Sequence, residues 1–146
     1  MEIESTQVNS WTMSDISKAL NIGPNFLLVS EVKRHGIDSY QGRARAPVRL
    51  PLDSHFMNDP MVPASLIVEF ALQFSAFVIA RRLETKSTPI IGDIRYRALN
   101  PASNLENLSV VLDQFRPSGN GVITSSSIFD HSIDRIGSAS FAYSVS

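Results

Sequence analysis

The strongest constraint on what this chain folds into is the run "VPASLIVEFALQFSAFVIA", residues 62–80, in which apolar side chains follow one another for far longer than a strand requires. Leu66, Phe70, Phe74 and Phe77 recur at three- and four-residue spacing, the period of a helix. Cations at Arg81, Arg82 and Lys86 suit its C-terminal end, where the helix dipole is negative. The run approaches the length of a membrane span, but Glu69 and Gln73 sit in its middle and a proline-rich loop precedes it. The pattern therefore predicts the buried helix of a globular core and no membrane partner. A helix that is apolar nearly all round must be covered on most of its surface.

What covers it is legible on either side. The stretch "MSDISKAL" predicts a short helix with Ser14 as N-cap, ended by Gly23 and Pro24. "FLLVSEVKRHG" and "SYQGRARAPVRLPL" read as two strands joined at Gly36. Beyond the long helix, "TPIIGDIRYRAL", "LENLSVVLDQFRP", "GVITSSSIFDHS" and "RIGSASFAYSV" are four strand-like runs separated by "NPASN", "PSGNG" and "SIDR" turns, which predicts an antiparallel meander. One curved antiparallel sheet wrapped about one long helix is the economical α+β solution, the hot-dog architecture. An open sheet edge then calls for a second copy, so a dimer is expected. At 146 residues the chain makes one domain, read as residues 13–146 behind a loose polar leader over residues 1–12.

Composition excludes several function classes. A net charge of −1 gives no electrostatic reason to bind nucleic acid or an anionic membrane. The chain has no cysteine, which rules out thiolate chemistry, disulfides and a Cys-type zinc site. A reducing cytoplasm fits that usage, and the first residues carry neither a basic start nor an apolar segment of a secretory signal. No metal or organic cofactor is expected.

The chemistry-bearing residues stand out by context. An ionised carboxylate inside an oily helix costs several kcal/mol unless it is paired or neutralised. Burial would raise the pKa of Glu69 toward the range where a carboxylic acid donates protons near neutral pH. Its alternative reading is a buried polar residue bonded to Gln73 or to backbone. Gln73 lies one turn on, where it can fix the carboxyl, or serve the fold alone. His55 is a titratable group on the loop leading into the helix, whereas His35 and His131 fall in turn-like, solvated settings. Pro60 and Pro63 stiffen the helix entry, and the free first-turn amides from Ala64 onward can hold a developing oxyanion. Acid, base and oxyanion donor together suit proton chemistry beside a thioester carbonyl.

The segment "HFMNDPMVPASLIVEFALQ" resembles the active-site motif of the (3R)-hydroxyacyl-acyl-carrier-protein dehydratases, roughly G-H-F-P-x-x-P-x-x-P-G followed by an apolar run ending in E-A-x-A-Q. His55, Phe56, Pro60, Pro63, Glu69 and Gln73 fall in register with it. The likeness continues outward through "ISKALNIGPNFLLVSEV" and "IGDIRYRALNPASNLENLSVVLDQF". It implies His55 as base at the α carbon and Glu69 as acid at the β hydroxyl, the two coming from different subunits. It also implies the Ala64 N–H as oxyanion donor, Gln73 as support, and Phe56, Phe70 and Phe74 as walls of an acyl tunnel. Arg43, Arg45, Arg95 and Arg97 would meet an acidic acyl carrier protein or its phosphopantetheine, unless they are ordinary solvated strand residues. Ser54, Met57 and Ala64 depart from the family's glycine, proline and glycine, which favours a specialised polyketide, polyene or fatty-acid dehydratase. The same departures leave room for a low-activity partner subunit in a hetero-oligomer. A hot-dog thioesterase using the carboxylate to activate water is the third reading.

Overall fold

The computed structural model describes residues 8–46, 62–83, 90–131 and 134–144. Its first element is β1 (Val8–Thr12), in the stretch read from the sequence as leader. Five residues are too few for a pattern of their own, and the strand exists because it pairs antiparallel with β2 (Val29–His35), Trp11 opposite Val32. The helix α1 (Met13–Leu20) follows directly. Its N-cap is Thr12, not Ser14: the Thr12 hydroxyl accepts from the Asp15 amide while the Asp15 carboxylate accepts from the Thr12 amide at 2.9 Å, a reciprocal capping box. The helix stops at Asn21, whose φ of 55° is left-handed.

β2 turns at Gly36, φ +78°, into β3 (Ser39–Ala44), the hairpin predicted from the sequence but with a shorter second strand. The long helix α2 occupies Ala64–Leu83. It is followed by β4 (Ile90–Ala98), β5 (Leu108–Ser118), β6 (Gly121–Asp130) and β7 (Arg135–Ser144), close to the four predicted runs. The meander holds only for β5, β6 and β7. The order across the seven-stranded sheet is β1-β2-β3-β5-β6-β7-β4, so β4 leaves its sequence neighbour and pairs with β7 at the far edge, while β5 closes against β3. Entering from the helix, β4 takes the free side of the last strand and leaves the joint with the N-terminal hairpin to β5.

The sheet wraps α2, which packs against β2, β3, β5, β6 and β7. Phe70, Phe74 and Phe77 are buried in one cluster with Tyr40, Val110, Ile128 and Phe141. Each such ring removed from water contributes about 2–3 kcal/mol. Gly42 leaves the gap that Phe74 fills, since a Cβ there would stand 2.8 Å from the ring. At the other end of α2, Trp11 meets Phe77 edge to face at 5.4 Å and the Arg81 guanidinium lies 5.2 Å over the indole. Arg82 bonds Asp38 at 2.7 Å, tying the helix end to the β2–β3 turn.

Candidate functional site

One face of α2 is left incompletely covered by its own sheet. Val68, Glu69, Leu72, Ala76 and Ala80 are half-buried there, while Phe70, Ala71, Phe74 and Val78 on the other side are sealed. Glu69 is thus half-buried, not enclosed as the apolar run implies. Gln73, one turn on, donates from Nε2 to the Glu69 carboxylate at 2.9 Å. Its second Nε2 hydrogen goes to the Phe26 carbonyl at 3.0 Å, and its Oε1 accepts from the buried Leu28 amide at 2.7 Å. Every donor and the carbonyl of this buried amide are used, so its orientation is fixed by the network. Gln73 is both a clamp on the Phe26–Leu28 segment and the group that orients Glu69.

The helix N-terminus opens onto a largely apolar cavity of about 340 Å³ lined by Val62, Ala64, Ile67, Tyr96 and the turn from Ala98 to Ala102. The Val62 amide donates to the Ala102 carbonyl at 2.7 Å, pinning the helix entry to that turn. The Leu66 and Ile67 amides are taken by the Pro63 carbonyl, whereas Ala64, the first helical residue, has no carbonyl of its own helix to bond. Glu69 does not line this cavity. Five residues past Ala64, it points about 140° around the helix from it. A single chain therefore brings Ala64 to the cavity and turns Glu69 toward the incompletely covered side of the helix. His55, Phe56, Ser54, Met57 and Pro60 lie outside the described residues.

Other expected roles redistribute. Phe70 and Phe74 are fully buried and pack in the core cluster between α2 and the sheet. Arg45 spends its guanidinium on the Pro24 and Leu27 carbonyls at 2.7 and 3.0 Å, a structural tie. Arg43 is exposed on β3, four strands away from β4, so it stands about 20 Å from Arg95 and Arg97 at sheet spacing. The four arginines form no common patch. His35 faces the Gln41 amide at 3.1 Å and His131 is exposed, as expected. No cluster of metal-ligating side chains occurs among the described residues.

A polar group that the sequence reading missed lies inside, between α2 and the sheet. Ser75 and Thr124 share a hydrogen bond at 2.8 Å, and nearby the Tyr143 hydroxyl and Ser126 Oγ are buried without a hydrogen-bond partner. Burial, the largest cause, pushes the Tyr143 phenol far above its usual range, and the Glu69 charge raises it further. The run of hydroxyls at residues 124–127 was its only signal in the sequence.

Sheet, helix and topology define the class: the chain has the hot-dog fold. No family model and no curated protein matches the sequence. Among solved structures, a thioesterase from Haemophilus influenzae is similar at a TM-score of 0.68 and 12% identity, over 92% of this chain and 90% of that one. A candidate thioesterase from Silicibacter sp. TM1040 reaches a TM-score of 0.71 at 9% identity, over 98% and 96%. The dehydratase domain from the CurJ module of curacin polyketide synthase aligns at a TM-score of 0.69 and 14% identity, over 97% of this chain and 50% of that one. This chain likewise spans only 53% of another thioesterase superfamily protein.

Proposed function

We propose that the chain is a dehydratase that removes water from a 3-hydroxyacyl thioester carried on acyl carrier protein, leaving the 2-enoyl thioester. The observation that carries this reading is Glu69, a carboxyl oriented by Gln73 and half-buried on the incompletely covered face of a largely apolar helix. A carboxyl in that place is spent on chemistry more readily than on packing. His55 takes the α proton, the Ala64 N–H supports the enolate-like oxygen, and Glu69 gives its proton to the β hydroxyl as water departs. The proton on His55 then resets Glu69, so nothing is consumed and no cofactor is needed.

The divergence of Ala64 and Glu69 around the helix supports a site assembled from two chains. So does β4, an edge strand whose Ile90 and Ile94 are 68% and 46% exposed and whose outer backbone groups are unpaired by the sheet. Pairing β4 with its copy covers both and brings the uncovered faces of two α2 helices together. Hydrolysis of the same thioester, with Glu69 activating water in place of protonating a hydroxyl, is the second reading, since thioesterases and a dehydratase domain share this fold.

One assay separates the readings: a 3-hydroxyacyl carrier protein is incubated with the chain and followed by mass spectrometry, alongside His55→Ala and Glu69→Gln. Loss of water that both variants abolish is the expected result. Release of free acid assigns the thioesterase, activity only after a homologous subunit is added assigns the partner role, and full activity in both variants sinks the catalytic assignment.

A further inference from the structure

The outer face of the sheet, opposite α2, carries a feature that neither reaction uses. Successive residues of a strand point to opposite faces, so Arg95 and Arg97 share the outer face of β4. In the register, Arg95 stands beside Ser140 and Arg97 beside Ser138 on β7, and these in turn stand beside Ser125 and Ser127 on β6. Two Arg–Ser–Ser rows therefore cross three strands. Serine is too small to fill the space over a pleated sheet, and the rows leave a solvent-open groove of about 320 Å³. Arg135 closes one end of it, and Asp113 on β5, holding the Ser127 hydroxyl at 2.6 Å, forms the far wall.

The charges do not cancel. Arg95 is tied through Nε to Asp93 at 3.1 Å, which leaves its terminal nitrogens free, and its side chain is 82% exposed. Arg97 and Arg135 make no side-chain ion pair or hydrogen bond among the described residues, and Asp113 is the one acid lining the groove. Arginines lining one groove over a floor of serine hydroxyls supply what a tetrahedral oxyanion takes, two parallel N–H bonds from a guanidinium and further bonds from hydroxyls. We infer that this outer groove binds a phosphate monoester, with Arg97 and Arg135 as its principal anchors and Ser138 and Ser140 as hydroxyl donors. The site lies on the opposite face from Glu69 and holds whichever thioester reaction the chain performs.

The test is a titration of the isotope-labelled chain, followed by amide NMR at low ionic strength, with inorganic phosphate, adenosine monophosphate and unphosphorylated adenosine. Shifts at Ser125, Ser138 and Ser140 with both phosphates and none with adenosine are expected. Tighter binding of the nucleotide than of inorganic phosphate supports the organic monoester as the ligand, and equal binding would overturn that assignment. The Arg97→Ala/Arg135→Ala double variant weakens binding about tenfold or more. Ser140→Asp, which leaves the arginines in place but puts an anion in the groove, abolishes it. Equal shifts with chloride at matched ionic strength, undiminished affinity in either variant, or no binding because copies of the chain cover this face would each overturn the inference.

Discussion

Replacing Gln73 by methionine separates what this residue does for the fold from what it does for Glu69. Methionine keeps nearly the same length and volume, so the change removes hydrogen bonds without opening a cavity. Three bonds are lost, with unequal cost. The Phe26 carbonyl belongs to a residue 73% exposed and Glu69 is half-buried, so both recover water. The Leu28 amide does not: its residue is 2% exposed and no other acceptor is in place. An orphaned buried donor costs about 1–3 kcal/mol, and the remaining bonds bring the expected loss to about 2–3 kcal/mol. At about 2–4 °C per kcal/mol for a chain of this size, the melting temperature falls by about 4–12 °C. Thermal and urea unfolding followed by circular dichroism measure it. Glu69→Gln is the control, since its amide oxygen still accepts from Gln73 and stability stays within about 0.5 kcal/mol. A Gln73→Met loss below about 0.5 kcal/mol, or one matched by Glu69→Gln, would refute the clamp.

Tyr143→Phe removes a buried hydroxyl that has no hydrogen-bond partner among the described residues, so stability at neutral pH is unchanged or rises by up to about 1 kcal/mol, as equilibrium unfolding will report. The same variant loses a pH effect. Because the folded phenol is raised above its ordinary 10.0, the unfolded chain ionises first as pH rises past that value, and native stability drops there unless the phenol is absent. Gly42→Ala forces a methyl against Phe74 and destabilises by about 1–3 kcal/mol, measurable as an earlier melt. Asp15 has its carboxyl held below the ordinary 3.8 by the Thr12 amide and then the Thr12 hydroxyl. Its stabilising effect is therefore present above that pH and disappears as pH falls through the lowered value, and in Asp15→Asn this acid limb of the unfolding curve is missing.

How much of this was legible depended on distance along the chain. The long helix was readable because nineteen consecutive positions state it, and the hairpin because Gly36 marks its turn. The Thr12 cap also left a signal, an acid three residues on in "TMSD", but Ser14 offered the same cap chemistry two residues later. What could not be read is pairing. Nothing in "IIGDIRYRA" says that it will lie beside β7 instead of β5, since any strand pattern satisfies either neighbour. The motif singled out Glu69 and Gln73 correctly as adjacent groups, yet Gln73's other partners, Phe26 and Leu28, come from a segment far upstream. Arg45 escaped for the same reason: as a strand residue it looks solvated, and only the folded backbone brings the Pro24 and Leu27 carbonyls to it. The outer groove depends on a register that aligns arginines of one strand with serines of two others.

The strand order has a kinetic consequence. The sheet consists of two pieces, β1-β2-β3 and β5-β6-β7-β4, stitched by one short ladder of residues 41–43 against residues 109–111. Each piece contains hairpins that close over short loops, whereas the stitch closes a loop containing the whole of α2, and loop closure of that span must precede its reward. The two pieces are therefore expected to form early and the stitch late, with α2 as the surface on which they meet. Under native conditions the amides of Gln41, Arg43 and Val111 should exchange with solvent sooner than those along the β5–β6 ladder, so that this joint is where the molecule first opens.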